Sequence, residues 1–404
     1  MLYQETGRSR RLFSFKMLQR PINRDRFIPE IDGLRFPAIL TVCLLHLNNF
    51  YGRSINYDYY EGVRDINSWS WFINRSGLGV EIFFAISGFI IALPFLKYYL
   101  DHGKKPSIKA YFIRRLTRLE VPFLVACVIF YGAYSFNYGQ NLLDGLGHFF
   151  AAITYTHLFF YGEWPPFNPV TWSLEVEVQF YLLAPWLIKL MMKPSKNIFK
   201  ALIFICLFSV PLMLRYHFYD TLKMYHLHMS LLVYLPYFLI GILAAFLFIK
   251  HPSLFKKKSF LWDIVGLVSF YSLFYYIWSP NQFHFCLFLF LFFLSAFKGQ
   301  LFNHFFTRKI VYTIGGMCYT IYLLHYPLIH LIGRFTRQLS ISDDFVVNYL
   351  LQVVIVLPLV FCISSVYFVL IEKPCMRKDW PRQLYARVIR RKTPERLFNG
   401  EREE

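Results

Sequence analysis

Arg35 and His46 stand eleven residues apart in a stretch that is otherwise apolar. At about 100° per residue the separation is about 20° past three full turns, so a helix carries both on one face, about 16 Å apart along its axis. Asp32 falls about 40° off that face if the helix extends back to it. An imidazole titrates near neutral pH, which suits a general acid or base or a covalent carrier. The competing reading is a buried histidine tied to a neighbouring carbonyl. Trp172-Ser173-Leu174-Glu175-Val176-Glu177 supplies two carboxylates. On a helix they point about 200° apart, so one faces the interior and Glu175, nearer the surface, reaches water. Entering a membrane at residue 170 puts Glu177 about 10 Å deep and His46 about 12 Å from the same surface. Glu177 is therefore expected beside the imidazole, orienting or charge-balancing it; the alternative is structural pairing with a Tyr, Trp or Arg of another helix.

Ser87 lies in Gly79-Val80-Glu81-Ile82-Phe83-Phe84-Ala85-Ile86-Ser87-Gly88-Phe89, where small residues suit close helix packing as well as chemistry. Tyr319, Tyr322 and His325 precede Pro327, and His325 is equally suited to satisfying carbonyls that a proline kink frees. Arg114-Arg115-Leu116-Thr117-Arg118 places Arg115 and Arg118 one turn apart, a paired guanidinium site suited to phosphates with Arg114 beside it. Topology signalling accounts for much of the surrounding charge. No Walker loop, dinucleotide glycine loop, metal-type Cys/His spacing or nucleophile elbow is present, so no metal is expected.

The elements that must position these residues are membrane helices. Of 404 residues 56% are apolar and 17% charged, against roughly a quarter charged in a typical soluble chain, and the 46 Phe and 29 Tyr occur in long apolar stretches. Ten windows are long enough to span, at 34–52, 77–100, 119–139, 170–192, 198–215, 228–249, 260–278, 282–297, 310–333 and 345–370. An eleventh, 142–161, holds Asp144, Gly145, Gly147 and His148 and is expected to be re-entrant or interfacial. Lysine and arginine crowd residues 1–33, 101–118, 193–200, 250–259, 298–309 and 371–404, whereas the intervening loops hold only Arg53, Arg64, Arg75, Arg215, Lys223, Arg334 and Arg337. By the positive-inside rule both termini are cytoplasmic. The expected fold is thus an all-α polytopic bundle of about ten transmembrane helices, with a basic arm at 1–33, a membrane domain at 34–370 and a basic tail at 371–404. The net charge of +19 comes with no motif of a nucleic-acid reader. Six of the seven cysteines lie in apolar stretches and read as small hydrophobes.

An ionisable side chain at bilayer depth costs about 2.5–3.5 kcal/mol even on the lenient insertion scale, which makes each a functional candidate. In order along the chain, Ile31-Asp32-Gly33-Leu34-Arg35 with His46, the Gly79-to-Phe89 segment, Arg115-Leu116-Thr117-Arg118, Trp172-to-Glu177 with Phe180-Tyr181 and Pro185, Tyr319-to-His325 with Pro327, and Ile371-Glu372-Lys373-Pro374 resemble the acyltransferase 3 family of polytopic membrane acyltransferases. The resemblance implies that His46 is the essential histidine, as general base or acyl relay, with Arg35 as its partner and Glu177 as the buried carboxylate of the fourth span. It implies that Arg115 and Arg118 bind the donor, acetyl-CoA or another acyl-CoA. The acceptor would be a carbohydrate or lipid-linked glycan, reached from a bacterial cytoplasmic (inner) membrane. Glu81 stands where the family usually has Asp, Cys318 where Ser is common, and Pro37 is expected to start the helix at Arg35 and leave Asp32 in a turn. The competing class is a transporter or flippase of a saccharide or lipid-linked glycan, with His46, Glu177 and His325 relaying protons. Missing repeat symmetry and the arginine pair weigh against it.

Overall fold

The computed structural model describes residues 15–21, 27–55, 68–139, 141–192, 197–217, 229–279, 281–377 and 380, and among these every regular element is helical. In chain order the α-helices are α1 (Pro29–Ser54), α2 (Trp69–Asn74), α3 (Gly79–Leu100), α4 (Ile108–Tyr138), α5 (Leu146–Ile153), α6 (His157–Tyr161), α7 (Trp172–Met192), α8 (Asn197–His217), α9 (Leu231–Lys250), α10 (Phe260–Tyr276), α11 (Phe283–Lys298), α12 (Leu301–Phe306), α13 (Lys309–Gly316), α14 (Cys318–Thr336), α15 (Phe345–Tyr367) and α16 (Lys373–Cys375). A π turn, Phe368–Glu372, joins the last two.

Their boundaries follow from local chemistry and depart from the hydropathy windows in instructive places. α1 begins at Pro29, with Glu30 and Asp32 in its first turn where the positive end of the helix dipole favours anions. Asp32 is therefore helical, and Pro37 sits inside the helix instead of starting it. α4 starts eleven residues before its apolar window, at the cap where Ser107 accepts a hydrogen bond from the Ala110 amide, so Arg114, Arg115 and Arg118 are on the helix and not in a loop. Residues 142–161 form two short helices broken at Thr154–Thr156. The longer, eight residues, is about 12 Å, far below a bilayer core of about 30 Å. The window at 310–333 is interrupted at Met317, between α13 and α14.

Among the described residues, five helices are long and apolar enough to cross a membrane: Trp69–Leu100, Ile108–Asn137, Ile198–Tyr216, Leu231–Lys250 and Phe345–Cys375, with α10 and α11 shorter but apolar. α1, α7 and α14, which carry Asp32, Arg35, His46, Glu175, Glu177 and His325, are not among them. Exposed Ile205, Leu267, Val354 and Leu370 give the outer surface the character of a lipid-facing one. The chain is an integral membrane protein.

Inside, two apolar clusters meet at α1. Leu34 and Ala38 belong to one, with Phe84, Phe180, Tyr237, Phe238 and Phe285; Val42, Cys43 and Leu47 belong to the other, with Phe123, Ile321, Tyr349 and Phe368. With no hydrophobic drive between helices in lipid, such contacts rest on close packing. α3 and α9 show how close: a Cβ on Gly241 would lie 1.8 Å from the Ala85 carbonyl oxygen and one on Gly88 2.1 Å from that of Phe238.

Candidate active site

The first turns of α1 project into a cavity of about 250 Å³ enclosed by α1, α3, α4, α7 and α14. Asp32 and Arg35, one turn apart, form an ion pair with Arg35 Nη1 2.6 Å from Asp32 Oδ1. Arg20 Nη1 reaches the same oxygen at 2.7 Å from the stretch after the 3-10 turn Phe15–Leu18, itself held by Lys373 Nζ donating to the Met17 carbonyl at 2.7 Å. α13 packs against α1 behind the cavity at Gly315, whose absent Cβ would lie 1.8 Å from the Asp32 carbonyl oxygen, and α14 then brings Cys318 and Tyr319 to the cavity. α4 contributes Arg115 and Arg118, α3 Ser87, α7 Glu177 and Tyr181, and α14 Tyr319 and Tyr322.

Four guanidinium groups, Arg20, Arg35, Arg115 and Arg118, face two carboxylates on these walls, Asp32 and Glu177. Asp32 is shared between two of the four. Arg115 lies over the Tyr181 ring, 4.8 Å from its centroid, and Arg118 keeps a buried Nε without a partner. Just outside the lining, Glu372 interacts electrostatically with Arg118 and Arg20; its Oε2 accepts from the Thr320 amide at 3.2 Å and from the Thr320 hydroxyl, and its Oε1 is buried without a partner, so even with this third carboxylate the guanidinium groups stay in excess. A buried excess of guanidinium is costly until an anion completes it, and planar donor forks match phosphate oxygens. Arg114 takes no part: it is exposed, and its Nε donates to the Ala110 carbonyl of its own helix at 3.0 Å.

Glu177 is held by α3, the Ser87 hydroxyl donating to its Oε1. Glu175 does not reach water as expected. It is 3% exposed and its Oε2 accepts from the Leu158 amide at 3.1 Å, because α6 folds over that face of α7. His46 lies elsewhere. Its ring centroid is 5.2 Å from that of His325 and 5.2 Å from that of Tyr326, whose ring in turn lies tilted against that of His330 at 4.5 Å. His325 is fully buried; its Nδ1 faces the carbonyls of Tyr322 at 2.7 Å and Ile321 at 3.2 Å and so carries the proton, leaving Nε2 without a partner. The carbonyl freed by Pro327 is that of Leu323, and Asn168 Nδ2 satisfies it at 3.0 Å.

The expected His46–Glu177 pair is therefore not formed: among the described residues no hydrogen bond or ion pair joins them, and Glu177 shares a cavity with Arg35, about 16 Å along α1 from His46. Hydropathy starts a span where its charges end, whereas here the charged first turns of α1 and α4 line an interior cavity. Between cavity and imidazoles stands Tyr322, which lines the one, lies 5.6 Å ring to ring from His325, and is fixed by Ser173 at 2.6 Å and by the Val170 carbonyl. Sequence reasoning missed Arg20, one of many cations in a basic arm, and did not name Tyr181, Cys318 or Glu372 as site residues although their motifs were in view. Among the described residues no group of three or more His, Cys, Asp or Glu is placed to hold a metal.

A family model described as an acyltransferase domain matches residues 28–369. The O-acetyltransferase OatA of Staphylococcus aureus, in strains NCTC 8325 / PS 47 and COL, is 28% identical over 396 residues, covering 91% of this chain and 60% of the relative. The chain thus spans about 60% of the length of the curated relatives it matches. No solved structure matches it.

Proposed function

We propose that this chain, which belongs to the acyltransferase family matched over residues 28–369, is a membrane O-acyltransferase that moves an acetyl group from acetyl-CoA to a hydroxyl of a glycan acceptor. The observation that carries the reading is the cation-rich cavity: four guanidinium groups for two carboxylates is a deficit that the phosphates of a CoA ester would fill. Arg115 and Arg118 hold those phosphates, with Arg35 and Arg20 beside them, and the thioester points toward Ser87, Glu177 and Tyr322. His46 is the base. It takes the proton of the acceptor hydroxyl as the new O–C bond forms at the thioester carbonyl; the C–S bond breaks and CoA leaves as a thiolate that is then protonated. In the covalent variant His46 holds the acetyl group first and passes it on. In either case the Tyr322 ring, which closes the cavity toward the imidazoles, has to swing aside. His325, with its proton on Nδ1 and a bare Nε2, is placed to support the neighbouring imidazole. The acetyl assignment is supported by the names of the relatives. The same reading takes ten spans, both termini in the cytoplasm, a bacterial inner membrane, and the arm at 1–33, membrane domain at 34–370 and tail at 371–404.

The test is acetyl transfer by the purified chain in liposomes. Labelled acetyl-CoA supplied outside with a glycan acceptor should release CoA and label the glycan. Glycan flux that proceeds without acetyl-CoA, and no labelled product, would replace the enzyme with a transporter.

A further inference from the structure

A second void, about 230 Å³, lies against the cavity on its α4–α7 side and shares Arg115, Glu177, Tyr181 and Tyr319 with it. One face of α4, from Phe112 to Glu120, forms one wall, and one face of α7, from Leu174 to Leu182, forms the other. The eight steps along α4 make the slit about 12 Å long. Two contacts frame it. At one end the Tyr111 hydroxyl donates to the Tyr181 carbonyl at 3.0 Å. At the other the Tyr155 hydroxyl donates to the Glu120 carboxylate at 3.1 Å, from a residue held at φ 57 and stacked on Phe123 at 4.8 Å. That left-handed conformation is uncommon for a residue other than glycine and has to be imposed by its surroundings. At the mouth Ile113, Leu116 and Leu182 are 48%, 62% and 53% exposed on a membrane protein.

Resting on the acyltransferase reading, we propose that this slit is a side entrance from the bilayer: it holds the aliphatic chain of a lipid-borne acceptor, with the anionic head at the inner edge beside Arg115 and the acceptor hydroxyl reaching on through the cavity toward Tyr322 and His46. Three observations converge on that occupant. Between the Arg115–Glu177 edge shared with the cavity and the Glu120–Tyr155 pair that closes the other end, the walls are apolar, formed by Phe112, Leu116, Leu119, Val178 and Leu182, as an aliphatic chain requires. The inner edge presents the Arg115 guanidinium, which borders both voids and has donors enough to meet a phosphate-bearing head on the slit side while it meets the donor's phosphates on the cavity side. The mouth is framed by the exposed apolar side chains of Ile113, Leu116 and Leu182, the surface character that suits contact with lipid. A CoA ester arrives from water and needs no opening of this kind, whereas a substrate anchored in the bilayer can enter only between helices.

The test uses the full chain in nanodiscs and dodecyl phosphate carrying a mid-chain diazirine. Photolysis should place adducts on the peptides holding Leu116, Val178 and Leu182. Leu116→Trp with Leu182→Trp fills the mouth and should cut that labelling about tenfold or more, the factor expected from excluding about two methylenes of the chain. Acetyl-CoA binding should stay at the wild-type level in the same variant, which also shows that it folds. Adducts spread evenly over lipid-facing positions such as Leu267 and Val354 would overturn the proposal, as would full labelling of the double variant. So would diazirine-bearing dodecanoyl-CoA labelling the slit and displacing the alkyl phosphate, because the chain would then be the donor's. The two readings fail separately: an unlabelled slit with normal acetyl transfer sinks the entrance alone, while a labelled slit without any acetyl transfer sinks the enzyme and, with it, the acceptor's role.

Discussion

At the Asp32–Arg35 end of α1, polar side chains from five helices surround open space, and cations outnumber the acids that could neutralise them. Three turns on, at His46, the same helical face meets aromatic rings at centroid distances of 5.2 Å, those of His325 and Tyr326, with His330 next to Tyr326 and His46 itself part-exposed. One end is built to receive something; the other is built to hold one imidazole still. The difference teaches that a shared helical face is not a shared site. What each end meets is decided by α14, whose Tyr322 faces the cavity and whose His325 faces the histidines.

The sharpest way to break this division is His46→Ala. If donor binding and transfer are separate, acetyl transfer falls by about 10²–10⁴-fold, the usual range for a lost acid–base group, while acetyl-CoA affinity measured by calorimetry is unchanged. Affinity falling in step with rate would make the two ends one site. Arg118→Gln reverses the pattern at lower amplitude. Charged hydrogen bonds contribute about 1.5–3 kcal/mol each, so donor affinity should weaken by about tenfold to a hundredfold, with turnover recovered at saturating donor. Arg114→Gln is the internal control, since that guanidinium bonds its own helix, and it should leave the affinity as it is.

How much of this was legible in the sequence follows the same division. Arg35, Asp32, Arg115, Arg118, Glu177, Ser87, Tyr319 and Tyr322 were all singled out from residue type and spacing, and all line one cavity. Periodicity fixes which residues share a face, and the cost of ionisable groups in lipid marks which faces matter. The azimuth of neighbouring helices was beyond reach, and with it the separation of His46 from Glu177 and the burial of Glu175 under α6. A hydropathy window also excludes charged turns, so α1 and α4 begin before their apolar windows and carry Asp32, Arg115 and Arg118 into the cavity wall. Arg20 carried no signal, because nothing local distinguishes the one arginine that reaches Asp32 from its neighbours in a basic segment.

The smallest effect offers the finest resolution, because α1 and α14 carry a natural thiol at each end of the division. Cys318 lines the cavity beside Arg35, whereas Cys43 is fully buried one turn from His46. In a chain keeping only Cys318, a small methanethiosulfonate reagent should react in the native protein, and acetyl-CoA at about ten times its Kd should slow that reaction about tenfold, the fraction of sites left empty by mass action. In a chain keeping only Cys43 the reagent should not react, with or without donor, since its side chain is fully buried. Mass spectrometry of the intact protein reads both. Reaction at Cys43 that acetyl-CoA suppresses would mean that the donor reaches the imidazole end with Tyr322 in place, and the packed region would have to be counted as part of the donor site.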